Sequence, residues 1–296
     1  MEEDNYCILK TIKRKTLSII GGDLRLVYLA KLFAKDKNNI VYTYAQEESY
    51  FEEKNIIITK NLEESIEKSE VVIGPIPFTK DKKNLNTPFS KNIISINNLF
   101  ENLSNKTLIA GNIPQEYLNY KNIKIIDIMK NEELTILNTI ATAEGAIEQI
   151  ILNTNTTIQG SNILILGFGR VAKTLALKLK LLDAKITCAA RRIKSMAWIE
   201  TYGFYKLNIE NLNENLENFD VIINTVPDKI LTKKELNYIK KQTTIIELAS
   251  LPGGIDRIYA QKIGLKCILA LGLPGKVAPY TTAKYIKNSI EKIKDY

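Results

Sequence analysis

Two kinds of apolar stretch alternate along this chain. Short runs rich in Ile, Val and Leu are bounded by Gly, Pro or Asn, and amphipathic segments with a period near 3.6 separate them. In the first half the runs fall at Thr16–Ile20, Ile40–Tyr44, Asn55–Thr59, Val71–Gly74, Ile93–Ile96, Thr107–Ala110 and Lys124–Asp127. These read as strands. Leu24 to Ala34 reads as a helix with Leu24, Val27, Leu29 and Leu32 inward, and residues 62–68 as another. Asn131–Asn153 reads as one longer helix, with Gly145 at a close contact. In the second half, strands are expected at Asn162–Leu166, Lys185–Ala190, Phe204–Leu207, Asp220–Asn224, Thr244–Leu248 and Lys266–Leu269. The helices between them are expected at Val171–Leu182, Lys194–Tyr202, Lys233–Lys240 and Asp256–Ile263, and a basic helix ends the chain at Thr281–Tyr296.

Alternating strands and helices predict an α/β protein of two Rossmann-like, doubly wound parallel-sheet domains. The expected divisions are a flavodoxin-like N-terminal domain over 1–130, a linking helix over 131–153 and a second Rossmann domain over 154–279. A helix over 280–296 crosses back to the first domain. Residues 1–15 carry no pattern and are expected to form an arm or a partial strand.

One stretch carries chemistry. The apolar run ending at Leu166 passes into Gly167-Phe168-Gly169-Arg170-Val171-Ala172, and a helical pattern follows. This is the strand–turn–helix setting of a dinucleotide fingerprint. Gly167 allows the tight turn, Gly169 lets backbone approach a pyrophosphate, and Ala172 keeps helix and strand close. The helix N-terminus then presents free N–H groups to phosphate. The next strand ends Ala190-Arg191-Arg192, with Ser195 just beyond. That end holds no carboxylate for a ribose 2′-hydroxyl and two guanidiniums for a 2′-phosphate, so NADP is expected in preference to NAD. Three Gly/Pro-dense loops close other strands on the same edge: Asn224-Thr225-Val226-Pro227, residues 247–254 and residues 271–279. Thr225, Val226 and Pro227 are expected beside the nicotinamide half. The Gly74-Pro75-Ile76-Pro77 tract ends a strand of the first half in the same way.

Composition narrows the reading. The net charge is +8, but the lysines are dispersed and follow an Asn-, Ile- and Lys-rich bias throughout. A nucleic-acid partner is therefore not expected. No run is long enough for a membrane span and no secretion signal is read, so a cytoplasmic protein is expected. Cys7, Cys188 and Cys267 have no metal or disulfide spacing, so no metal site is expected. Histidine is absent, which removes the commonest general acid/base.

Taken in order, Gly21-Gly22-Asp23-x-Arg25, Thr142-Ala143-Glu144-Gly145, Leu166 to Arg170, Asn224 to Pro227, Leu248-Ala249-Ser250-x-Pro252-Gly253-Gly254 and Gly272-Leu273-Pro274-Gly275-x-Val277-Ala278-Pro279 resemble the A-subunit family of dipicolinate synthases from endospore-forming bacteria. The likeness runs from about Leu17 to the C-terminus. It implies two Rossmann-like domains with an interdomain cleft, as in D-2-hydroxyacid dehydrogenases. It also implies NADP-linked conversion of dihydrodipicolinate to pyridine-2,6-dicarboxylate. The flavoprotein-like B subunit of the synthase is the implied partner, and the mother cell of a sporulating bacterium the implied place. A homo-oligomer stays open.

Two departures stand out: the extension before the first strand, and Lys276 where an apolar residue is expected. The hydroxyacid dehydrogenase mechanism with a His is excluded here. Within the resemblance, Arg25 is the candidate clamp for a substrate carboxylate. Asp23 either orients Arg25 or accepts a proton, with a plain helix cap as its bland reading. Glu144 is a second proton acceptor, and Asn224 and Ser250 are candidate hydrogen-bonding partners of the substrate. Two other readings remain: a nucleotide-binding regulatory subunit with the chemistry in the B subunit, or another NADP-dependent oxidoreductase of a small carboxylate. A shikimate-dehydrogenase-like reductase is one such enzyme, although its Lys–Asp pair is not evident at the matching loops.

Overall fold

A computed structural model describes residues 15–293. The expected N-terminal arm, Cys7 and residues 294–296 lie outside them. The described chain forms two compact units, one of residues 15–134 with 279–293, the other Thr135–Ala278.

The first unit carries β1 (Thr16–Ile20), α1 (Leu24–Ala34), β2 (Ile40–Tyr44), β3 (Ile56–Ile58), α2 (Leu62–Glu67), β4 (Val71–Ile73), α3 (Ile96–Asn102), β5 (Thr107–Ala110) and β6 (Lys124–Asp127). Helix α4 (Glu132–Asn153) begins there and continues into the second unit. The second unit carries β7 (Asn162–Leu166), α5 (Arg170–Leu181), β8 (Lys185–Ala190), α6 (Ile193–Thr201), β9 (Tyr205–Asn208) and β10 (Val221–Asn224). It continues with α7 (Lys233–Leu236), β11 (Thr244–Glu247), α8 (Arg257–Lys262), β12 (Lys266–Leu269) and α9 (Leu273–Val277). Helix α10 (Pro279–Glu291) belongs to the first unit.

Each unit has a six-stranded sheet, ordered β3-β2-β1-β4-β5-β6 in one and β9-β8-β7-β10-β11-β12 in the other. Every strand pair is parallel. Both orders are the dinucleotide type, 3-2-1-4-5-6. This corrects the flavodoxin-like expectation for the first unit, whose order would be 2-1-3-4-5. Strand order depends on which way each crossover turns, and the hydrophobic pattern does not carry that.

Strands buried on both faces explain the continuous apolar runs. Ile163 to Leu166 are fully buried. Helix α5 buries Ala172, Leu175, Ala176 and Leu179 at spacings of three and four, against Ala143, Ala146 and Ile150 of α4. In the first unit, Leu26, Leu29 and Phe33 of α1 share a core with Ala283, Ile286 and Ile290 of α10. The Tyr28 ring meets that of Tyr280 edge-on at 5.6 Å.

A second expectation is corrected at Ile93–Ile96, which is not a strand. The Ser95 side chain accepts from Asn98 N and caps α3, and the tract keeps only an isolated bridge from Ser95 to Asn84. A four-residue apolar run does not distinguish strand from helix, and the cap decides.

Gly145 lies in α4, where a Cβ would stand 2.9 Å from Leu273 Cβ. Alanine would gain about 1 kcal/mol of helix propensity. Overpacking against a β-carbon held by backbone costs about 1–3 kcal/mol. Packing is therefore expected to win, with Gly145→Ala lowering Tm by about 2–4 °C per kcal/mol of net loss. A thermal melt showing a raised Tm would contradict this contact.

Candidate nucleotide site and its loops

Leu166 ends β7 at the centre of the second sheet, between β8 and β10. Gly167 turns the chain there at φ +97°, and its N–H donates to Ala189 O at 2.8 Å. Thr225 crosses over the strand end, with both its N–H and its hydroxyl donating to Leu166 O. A Cβ on Gly167 would stand 2.6 Å from Thr225 Oγ1 and 2.7 Å from Val226 Cγ2. The β10 loop therefore packs directly on the turn, and a larger residue would push it away.

Gly169 is different. It caps α5, no side chain bonds there, and a Cβ would meet no protein atom within 4 Å. Its side faces open space. The first turn of α5 holds no acid, so its N–H groups and positive dipole end face that space unopposed. A pyrophosphate fits this cradle. Phe168 and Ala172 are buried and support it from below. The Phe168 ring packs against Tyr202 and Phe204 and lies under the Lys173 ammonium. Val171 is half-buried, and Arg170 donates to Thr135 Oγ1 at 2.8 Å.

Arg191 and Arg192 follow β8, and Arg192 caps α6. Both are exposed, and neither pairs with an acid among the described residues. Ser195 lies half-buried in the first turn of α6. Thr225 and Val226 are half-buried and Pro227 exposed.

Of the expected catalytic residues, Asp23 and Arg25 belong to the first unit and Glu144, Asn224 and Ser250 to the second. Glu144 pairs with Lys178 at 2.9 Å on the flanks of α4 and α5. Thr135–Arg170, Thr139–Thr174 and Glu144–Lys178 contacts show the two helices running in the same direction. Lys178 lies eight residues beyond Arg170, about 12 Å along the helix. Glu144 thus lies along the α4–α5 flank, in an ion pair, rather than at the fingerprint turn.

Asn224 is fully buried. Its Nδ2 donates to Glu247 Oε1 and Val226 O, both at 2.8 Å, and its Oδ1 accepts from Val226 N. Its amide is engaged within the fold by these bonds. Ser250 is exposed on the β11 loop.

In the first unit, Arg25 is 5% exposed. Its Nε and Nη2 each donate at 2.8 Å to the Asp23 carboxylate, and Nη2 also donates to Ile76 O. Asp23 caps α1 by accepting from Arg25 N. Asp23 is therefore both a helix cap and the group that orients Arg25. The guanidinium pins the 74–77 loop beside the Gly21-Gly22 turn, and these bonds leave Nη1.

The residue that sequence reasoning passed over is Glu247. Its carboxylate is fully buried at the end of β11. Oε1 accepts from Asn224 Nδ2 and Ala249 N, and Oε2 from Gly254 N at 2.8 Å. Three donors and no cation offset its desolvation. This ties the β10 and β11 loops together. A lone acid ending an apolar strand before Gly-Gly was its only signal. Burial pushes the Cys188 thiol up to about 12, and burial with the nearby Glu247 carboxylate pushes Cys267 up to about 11. Both stay protonated at neutral pH, which suits core packing rather than chemistry.

Two doubly wound parallel sheets, one with an open glycine cradle at a helix N-terminus, fit the NAD(P)-binding dehydrogenase class. The profile of the D-isomer specific 2-hydroxyacid dehydrogenase NAD binding domain matches residues 137–250, and that of the N-terminal domain of the dipicolinate synthase A subunit matches residues 16–129. The A subunit of dipicolinate synthase from Bacillus subtilis (strain 168) is 30% identical over 286 residues, covering 94% of this chain and 95% of that protein. The crystal structure of the dipicolinate synthase A subunit from Bacillus halodurans aligns with a TM-score of 0.82 at 29% identity, covering 95% and 97% of the two chains. The NADP(+) shikimate dehydrogenase of Methanococcus maripaludis is 32% identical over 127 residues, 38% of this chain and 45% of that one. The chain belongs to the A-subunit family of dipicolinate synthases.

Gly169→Ala is expected to fold with an unchanged Tm, because its Cβ meets no protein atom, while nucleotide affinity falls tenfold or more. Gly167→Ala is expected to lower Tm instead. Melting curves and a fluorescence titration with reduced nucleotide check the pair, and equal behaviour of the two variants would contradict the cradle.

Proposed function

We propose that this chain itself carries out NADP-linked oxidation of dihydrodipicolinate to pyridine-2,6-dicarboxylate, with the redox chemistry in this subunit of an assembly whose B subunit is of flavoprotein type. The likeness over nearly the whole length to a dipicolinate synthase A subunit carries this reading. The open Gly169 cradle and the unpaired arginines support the nucleotide part of it. Cytoplasmic residence in a sporulating mother cell, and a self-assembled form, belong to the same proposal.

An oxidised nicotinamide nucleotide held at this cradle would supply the hydride acceptor for a substrate ring carbon. The substrate also loses a proton, and aromatisation of the ring drives the step. The residues of this chain have simpler tasks. The α5 N-terminus and Gly169 hold the pyrophosphate. Arg191 and Arg192 hold the 2′-phosphate through charge-assisted bonds, with Ser195 beside them. Thr225, Val226 and Pro227 border the nicotinamide half. Ser250 donates to a substrate carboxylate from the β11 loop. Asp23 and Arg25 act as positioning residues for the 74–77 loop. No histidine takes the proton, so it leaves from the ring nitrogen to solvent or to a group on the partner.

A second reading has a specific observation in its favour. Asp23, Asn224 and Glu247, at or just after strand ends, are all engaged in structural bonds. That suits a nucleotide-holding subunit with the chemistry completed in the B subunit.

Two outcomes are expected. Arg191→Asp should weaken NADPH at least tenfold and leave NADH nearly unchanged, as read by titration. Equal wild-type affinity for NADPH and NADH would overturn the NADP preference. With dihydrodipicolinate and NADP⁺, absorbance should show equal formation of NADPH and pyridine dicarboxylate by the chain alone. Turnover only after addition of the B subunit would select the second reading.

A further inference from the structure

The loops after β10 and β11 gather positive charge that the fingerprint does not use. Ile230 N and Leu231 N both donate to Gly254 O, at 2.8 and 3.0 Å, and Asp256 N donates to Leu231 O at 2.9 Å. Leu231 and Ile255 pair as a bridge. This stitching brings Lys229 of one loop, and Lys233 and Lys234 at the start of α7, to the same open cavity as Arg257 at the start of α8, a space of about 670 Å³. None of the four has a carboxylate partner among the described residues. The Lys233 ammonium is steadied 5.5 Å over the Tyr259 ring. The acid in the lining, Asp256, is engaged as the cap of α8, where it accepts from Tyr259 N at 3.0 Å. Ile258, 86% exposed, adds an apolar wall.

Unpaired cations converging on a concave space raise the local potential and concentrate anions. Lysine and arginine also make the stronger, charge-assisted bonds to phosphate and carboxylate. The volume falls within the ~300–1,000 Å³ range of small-molecule pockets. Pairing with a protein would instead call for about 800 Å² of surface per partner. The lining shares no residue with Gly167–Ala172, with Arg191 and Arg192, or with Thr225–Pro227. We propose that this cavity is a second ligand site, for a small anion with at least two negative groups, phosphate or carboxylate. It binds alongside the nucleotide and does not depend on the reading of the reaction.

The test is calorimetric titration of the full chain, with and without saturating NADP. Pyrophosphate and pyridine-2,6-dicarboxylate are the probes, one for phosphate and one for carboxylate ligands. At least one should bind saturably with NADP present. The triple variant Lys229→Ala, Lys234→Ala, Arg257→Ala should weaken that binding tenfold or more, with Tm and NADP affinity unchanged. The double variant Lys229→Glu, Lys234→Glu, which alters only exposed side chains, replaces it if the triple variant melts early. Failure of both probes to saturate, displacement by NADP, or undiminished binding by the variants would overturn the proposal.

Discussion

The switch point at β7 is the constraint on which the second unit depends. The crossover from this strand goes to β8 on one side, and the chain later returns from β9 to place β10 on the other. Loops leaving adjacent strands in opposite directions open a crevice at the carboxyl edge. Gly167 must turn the chain in the left-handed region there, with Thr225 and Val226 packed where its side chain would be. The same geometry that permits the turn leaves Gly169 facing open space. Turn, crevice and helix N-terminus are consequences of one topological fact.

A buried carboxylate keeps the neighbouring loops in place. Glu247 offers its oxygens to Asn224 Nδ2 and to the N–H groups of Ala249 and Gly254. Removing one of these donors would leave a buried charge short of a partner, which is costlier than the bond itself is favourable. The arrangement also explains the second glycine of the Gly-Gly pair. A Cβ at Gly254 would stand 2.5 Å from Asn224 Nδ2 and 2.6 Å from Val226 O. Arg25 plays a comparable part in the first unit, where Asp23 and Ile76 O hold its guanidinium. In both units, polar groups with catalytic looks are spent on shaping loops. The exposed cations at Arg191, Arg192 and around the β10 and β11 loops remain available to anions.

Much of this was legible before the structure. Strand runs such as Asn162–Leu166 and Thr107–Ala110 stand where the apolar pattern put them, because strands buried on both faces must be continuously apolar. The fingerprint was legible because its glycines, strand and helix are neighbours in sequence. Ile93–Ile96 was misread because so short an apolar run suits either element and a serine cap settled it. The Lys178 partner of Glu144 was not legible, because it depends on the direction in which α4 lies along α5.

The amino-acid sequence by itself determined the α/β class, the nucleotide cradle, the absence of histidine chemistry and the family likeness. Each of these rests on local order, composition or motif succession. Only the tertiary structure decided the strand order, the burial of Glu247 and Asn224, the pairing of Arg25 with Asp23, and the convergence of Lys229, Lys233, Lys234 and Arg257 on one cavity. Those depend on contacts between residues far apart in the chain, and on whether a polar group meets water or a partner.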